Sequence, residues 1–150
     1  MLRLPTPDTV TRLLSGLLGV KVGVVDNKVD PATGTVRCRS VIENPEWNWH
    51  VWYPLRRSGA FASLDGREQA AILREHAIIG RAYGAEDLAH DVRLACHGLD
   101  PHDNDFLIGL IGKSLHPLSH VVQSMRKTRQ TREFITQMGP FFVGRVAART

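Results

Sequence analysis

Read from Trp47 onward, the chain runs strand, helix, strand, strand, helix, strand, and this order predicts an α+β fold of the ferredoxin-like βαββαβ kind. Three observations carry the prediction. Trp47 to Leu55 gathers three Trp and one Tyr in a run suited to a strand. Asp65 to Tyr83 repeats apolar residues at helical spacing, and Asp91 to Ile111 reads as two short strands around a polar turn. An antiparallel sheet built this way carries its helices on one face, so its other apolar face needs a cover.

Before that core, Val10, Leu13, Leu14, Leu17 and Leu18 stand behind Pro7 and ahead of Gly19, which predicts a short amphipathic helix over 8–18. Val20 to Val25 and Thr35 to Ile42 are rich in Val and Ile, with Asp30-Pro31-Ala32-Thr33-Gly34 as turn chemistry between them, so a hairpin is expected. Asn44-Pro45 then breaks the chain. The division is a reduced N-terminal helix-hairpin half-domain, residues 1–45, and a ferredoxin-like domain, residues 46–150. Asp65 with Glu68 three residues later is a capping-box-like start for the longest helix. On it Ile72, His76, Ile79 and Tyr83 share one face, which puts His76 on the buried stripe.

Asp91 to His97 and Asp105 to Ile111 are the next strands, joined by a polar turn from Gly98 to Asn104. Pro117 suits a first helical turn, with Leu118, Val121, Val122 and Met125 as the apolar face of a helix that frays near Arg132. Glu133 to Thr136 and Phe141 to Val146 close the chain as extended segments around Met138-Gly139-Pro140. The segment before residue 45 is too short for a second copy of the domain. The sheet is therefore covered by a reduced half-domain or by another chain.

With 43% apolar and 23% charged residues among 150, the composition is that of one folded domain or little more, not of a disordered chain. Apolar runs are too short for a bilayer span, and Met1 to Pro7 lacks the pattern of a secretory signal, so a cytoplasmic address and no membrane partner are expected. Cys38 and Cys96 stand far apart and read as reduced thiols. Nineteen Lys and Arg against 15 Asp and Glu is a modest excess. The basic cluster Arg126, Lys127, Arg129 and Arg132 has no aromatic residues interleaved, so it reads as a solvated helix face and no nucleic-acid partner is expected.

His76 is the first chemical candidate, since an imidazole on an apolar helix face needs either a hydrogen-bond partner or a metal. The pattern alone leaves both open. His116 and His120 have i, i+4 spacing, but Pro117 places His116 at or before the cap, which makes the pair a poor helical metal site. Asp100, Asp103, Asn104 and Asp105 read as a turn, lacking the Gly and terminal Glu of a calcium loop. No Gly-rich phosphate loop, nucleophile elbow or H-E-x-x-H pattern occurs, so the usual hydrolase and nucleotide-enzyme signatures are missing.

Five segments in order then carry a resemblance: Tyr53-Pro54-Leu55; Leu73-Arg74-Glu75-His76-Ala77-Ile78-Ile79-Gly80-Arg81-Ala82-Tyr83; Gly98-Leu99-Asp100; Met125-Arg126-Lys127-Thr128; and Gly139-Pro140-Phe141-Phe142-Val143-Gly144-Arg145. Over roughly residues 50 to 146 the sequence resembles the chlorite dismutase family, which includes heme-dependent chlorite dismutases and coproheme decarboxylases. The resemblance implies a dimeric α+β barrel type of fold built from ferredoxin-like domains, here with a truncated N-terminal half-domain. It implies an iron porphyrin, heme b or coproheme, as cofactor and His76 as its axial iron ligand. Gln130 falls where chlorite dismutases hold that His with an acidic residue, and a neutral partner leaves the imidazole a weaker donor.

Tyr53 matches the Tyr that coproheme decarboxylases use to oxidise a propionate through a tyrosyl radical, and Arg57 stands where they have a basic partner for that propionate. The distal Arg of chlorite-degrading members falls on Asp91, whose charge repels an anionic oxidant; Arg93, two residues on, shares its face and is the substitute. Departures are a shorter segment between Tyr53 and His76 and Phe61-Ala62 in place of paired aromatics. The expectation is a heme-binding oxidoreductase acting on peroxide in decarboxylase-like chemistry, with small-molecule substrates and a homo-oligomeric state. Its rivals are a chlorite dismutase using Arg93, and a non-catalytic family member or heme carrier or sensor.

Overall fold

Trp49–Arg57 is the axial strand of the sheet, because its alternating aromatic and branched residues find apolar partners on both faces. The computed structural model describes residues 37–96 and 103–148. In chain order these form α1 (Arg37–Ile42), β1 (Trp49–Arg57), α2 (Gly59–Ala62), α3 (Gly66–Ala85), β2 (His90–Ala95) and β3 (Phe106–Gly112). They continue with α4 (Leu115–Arg126), a π-helical turn (Gln130–Phe134), β4 (Ile135–Met138) and β5 (Phe142–Arg145).

The strand order is β2-β3-β1-β4, with every pair antiparallel, which is the ferredoxin-like order the sequence predicts. The last strand of that pattern is broken in two. β4 pairs with Leu55 to Arg57 of β1, and β5 with Trp49 to Trp52 on the same edge. Between them the chain steps out at Gly139, whose φ of 108° is a conformation that side chains disfavour.

The two sheet faces bury different things. On one, Val51, Tyr53 and Leu110 pack against Leu118, Val121 and Val122 of α4, with Ile79 and Tyr83 of α3 alongside. On the other, Trp52, Val92, Leu94, Leu107 and Ile111 pack against Cys38, Val41 and Ile42 of α1. The cover for the second face thus comes, in part, from the segment just ahead of β1. A third cluster joins Phe61, Ile72 and Phe134 at one end of α3, with Phe61 edge-on to Phe134 at 5.5 Å between ring centroids.

Several elements differ from the sequence reading. Residues 37–42, expected as part of a hairpin strand, are helical: Cys38, Val41 and Ile42 stand at i, i+3 and i+4 and all point into the sheet. The remainder of that hairpin, the helix over 8–18 and the Gly98 to His102 part of the turn lie outside the described residues. α3 starts as predicted, with the Asp65 carboxylate accepting from the Glu68 N–H at 2.8 Å. α4 begins earlier than expected, with Ser114 as its N-cap residue, so His116 lies inside the first turn rather than at the cap.

That helix ends at Arg126, because Lys127 and Thr128 donate to the carbonyls three residues back and tighten the chain out of α geometry. Arg132 and Glu133 then fall within the π-helical turn, and extended structure begins only at Ile135. Of the basic cluster, Arg129 is not simply solvated: it pairs with Glu68 and Glu133, each at 2.8 Å. Cys38 is buried and Cys96 half-buried. Among the described residues no helix is long and apolar enough to cross a membrane.

Candidate functional site

Strand alternation places Val51, Tyr53, Leu55 and Arg57 on the helix-covered face of β1. Register extends that face across the sheet. Tyr53 is opposite Ile108, and Ile108 is opposite Arg93, so Tyr53 and Arg93 occupy one cross-strand row two strands apart, about 10 Å between backbones. Asp91 sits in the neighbouring row, opposite Leu110 and beyond it Val51. Asp91 and Arg93 therefore share the helix side of β2.

Tyr53 is buried at 5% exposure, with Phe141 tilted against it at 4.5 Å between centroids. Burial first, and then Asp91, push its phenol far above the ordinary value, with Arg126 opposing, so the proton stays on Oη at every physiological pH. Arg57 is half-buried, its guanidinium 4.4 Å from the Phe61 ring centroid and 4.9 Å from that of Phe106. Its backbone N–H donates to the Asp105 carboxylate at 2.6 Å. Its Nε is buried with no hydrogen-bond partner among the described residues. Burial lowers the Arg57 pKa, Asp105 raises it and Arg93 lowers it again; Arg93 itself reaches over the same Phe106 ring at 5.5 Å.

His76 lies on the inner flank of α3, half-buried between Ile72 and Ile79 on the predicted stripe. Its Nδ1 is 3.0 Å from Thr128 Oγ1, and Thr128 Oγ1 donates to the Met125 carbonyl at 2.7 Å. Thr128 Oγ1 also lies 3.3 Å from Thr131 Oγ1, which is 3.4 Å from His76 Nε2; with the Thr128 proton on the shorter bond to Met125, Nδ1–H is the donor to Thr128 and Nε2 the acceptor side of the ring. Burial lowers the imidazole pKa, Glu75 raises it and Arg57 lowers it further. The neutral form is thus favoured.

Sequence reasoning assigned the residue behind His76 to Gln130, whereas the ring's hydrogen bonds go to Thr128 and Thr131. The physical reason is the π-helical turn, which turns Gln130 into the core at 7% exposure and brings the two flanking threonines against the ring. That turn is tied to α3 from outside. The Glu75 carboxylate accepts from the Arg129 backbone N–H at 2.8 Å, and Glu68 from the Arg129 guanidinium at 2.8 Å. The segment Met125-Arg126-Lys127-Thr128 carried the one available sequence signal for these threonines, and nothing in its pattern pointed at His76.

Because the folded pKa of His76 lies below its unfolded value of about 6.5, the unfolded chain binds the extra proton as pH falls. The stability contribution is therefore complete above pH ~6.5 and declines as pH drops towards the lower folded value. Urea midpoints at pH ~7.5 and ~5.5 are expected to differ more for the native chain than for His76→Gln, and equal differences would dismiss the burial argument. Beside this cluster, a groove of about 300 Å³ opens between α4 and the β1–β5 edge, lined by Val51, Leu118, Val122, Arg126, Phe141 and Val143. Phe141 separates it from Tyr53.

Residues 30–147 match the family model described as chlorite dismutase. Among solved structures, a heme-binding protein from Thermus thermophilus is 25% identical, with a TM-score of 0.61 over 77% of this chain and 47% of its own. A mutant chlorite dismutase from Candidatus Nitrospira defluvii in complex with cyanide is 18% identical, with a TM-score of 0.64 over 95% of this chain and 64% of its own. The chlorite dismutase of the same organism in complex with imidazole is 17% identical, with a TM-score of 0.62 over 93% of this chain and 63% of its own. The chain thus spans about half the length of the first structure and less than two thirds of the others. No curated protein matches it.

Proposed function

From the premise that this chain belongs to the chlorite dismutase family, we propose that it is a heme-binding oxidoreductase in which His76 would supply the protein ligand to the iron of a bound porphyrin. The observation that carries the reading is the setting of His76: a half-buried imidazole on the Ile72–Ile79 flank of α3, its neutral form favoured by burial, with Nδ1 3.0 Å from Thr128 Oγ1 so that Nε2 is the nitrogen left to meet a metal. Metal-bound histidines characteristically donate their other ring N–H to a fixed acceptor, which sets tautomer and orientation. The Thermus thermophilus heme-binding protein supports the same cofactor class.

The other donors suit the cofactor's carboxylates. Arg57 carries a buried Nε–H in need of an acceptor, between the rings of Phe61 and Phe106 that exclude water from it. A propionate supplies that acceptor. Gln130 packs the turn that holds both threonines on His76. When bound, an iron porphyrin supplies one-electron oxidation driven by peroxide. Tyr53 keeps its proton on Oη until the reaction takes it, and shares a strand face with Arg57 four residues away. The two stand about 13 Å apart along β1, and decarboxylation of coproheme would use Arg57 to hold a carboxylate and Tyr53 as the oxidisable group on the same sheet face.

A second reading, conversion of chlorite to chloride and dioxygen, is supported by Arg93 in the same cross-strand row as Tyr53. Exposed Phe142 and Val143 on the edge strand β5 support a homo-oligomer. The test is an absorbance titration of the purified chain with heme b and with coproheme, beside His76→Ala. A saturable Soret shift that the variant loses is expected. Carbon dioxide release from coproheme and peroxide selects decarboxylation, and dioxygen release from chlorite selects the second reading. Absence of a shift with either porphyrin overturns the proposal and leaves a non-catalytic module in which His76→Phe is tolerated.

A further inference from the structure

A second group of chemically capable side chains stands on the outer side of α4, apart from the His76 cluster. His116 and His120 stand one helical turn apart towards solvent, with ring centroids 6.2 Å apart and planes within 12° of parallel. Because Ser114 takes the N-cap position, both are within the helix and their Cβ atoms project from one face. The obstacle that Pro117 presents in the sequence is absent: it occupies the first turn, where its missing N–H costs nothing.

His120 is also held by a neighbouring helix. Its Nδ1 is hydrogen-bonded to the Tyr83 hydroxyl of α3, which in turn lies 3.3 Å from Ser124 Oγ. With Nδ1 engaged by Tyr83, Nε2 is the ring nitrogen left to meet an ion, which it does when Nδ1–H donates to Tyr83 and Tyr83 to Ser124. This is the arrangement by which an outer hydroxyl orients a metal-binding imidazole.

The geometry points to a two-histidine site for a borderline divalent transition ion, formed by His116 and His120 and oriented by Tyr83. With metal–nitrogen distances of about 2.0–2.1 Å, an ion sits about 3.2 Å from each imidazole centroid, so centroid separations up to about 6.4 Å admit a shared ion. The observed 6.2 Å falls inside that limit, but the rings are stacked with their lone pairs in parallel planes, so a shared ion requires the exposed His116 ring to turn about χ1 and χ2 until its nitrogen faces Nε2 of His120. Imidazole pairs select Cu²⁺ first, with Ni²⁺ and Zn²⁺ weaker. Among the described residues no three His, Cys, Asp or Glu side chains converge, so water fills the remaining positions.

Titrating the full apo chain with Cu²⁺ by calorimetry and electron paramagnetic resonance tests this. One ion per chain with a two-nitrogen signature is expected, bound at least about tenfold more tightly than by His116→Ala or His120→Ala. Neither ring is buried in the core and alanine favours helix, so these variants keep the fold. His76→Ala is expected to bind the ion unchanged, which separates this site from the porphyrin reading. Equal affinity in the double variant His116→Ala/His120→Ala overturns the proposal, as does loss of the ion in His76→Ala alone. Tyr83→Phe is expected to weaken binding about tenfold, and unchanged binding overturns the role given to Tyr83.

Discussion

Tyr53→Phe is expected to bind coproheme like the native chain and to release carbon dioxide from it at least about a hundredfold more slowly, the scale on which a positioned proton-handling group acts. Only the hydroxyl is removed. The ring keeps its place against Phe141, and the buried row with Ile108 is undisturbed, so packing does not account for a loss of turnover. Burial and Asp91 hold the native phenol neutral, which makes Oη–H available as a hydrogen-atom donor and makes a phenolate irrelevant near neutrality. Single-turnover release of carbon dioxide, with the Soret titration run on the same samples, reads the two effects separately. An unchanged rate removes Tyr53 from the chemistry while leaving His76 ligation standing.

Gly109→Ala is expected to lower stability by about 1–3 kcal/mol, a large share of the roughly 5–15 kcal/mol that holds a domain of this kind together. A Cβ at Gly109 would lie 2.6 Å from both Cη2 and Cζ3 of Trp52 and 2.9 Å from Cε3. The indole lies across the strand partner Gly109 and is itself wedged among Val92, Ile111 and the α1 residues Cys38 and Ile42. It has no free direction to yield. The urea midpoint should fall with an unchanged m value. Adding Trp52→Leu should recover part of the loss, giving a coupling of the order of 1 kcal/mol in a double-mutant cycle. Additive effects would show that the clash is absorbed elsewhere.

The two positions also differ in how visible they are in the sequence. Tyr53 stands in a strand-like aromatic run, and alternation alone puts it on a face with Leu55 and Arg57. Gly109 interrupts an apolar segment and gives no hint that an indole from another strand needs its space. The same contrast holds for helices. Asp65 and Glu68 mark the start of α3 because the cap is made by residues three apart. The segment 37–42 carries only Cys38, Val41 and Ile42 among polar residues, too few to fix a period, and contact with the far sheet face accompanies its helical form.

Local sequence determined the order of the main strands and helices from Trp49 onward, the main strand faces and the stripe that carries His76, because those depend on propensities and periodicities within a turn or two of chain. The resemblance in Tyr53, His76 and Gly139 to Arg145 marked the family without any knowledge of packing. Tertiary structure alone decided what touches those residues. Thr128 and Thr131 reach His76 across 52 and 55 residues, Arg93 meets Tyr53's row through two strand registers, and Tyr83 orients His120 from another helix. The physical reason is one of range. Backbone preference is set by neighbours along the chain, whereas a side chain's tautomer, charge and hydrogen-bond partner are set by whatever the fold packs beside it.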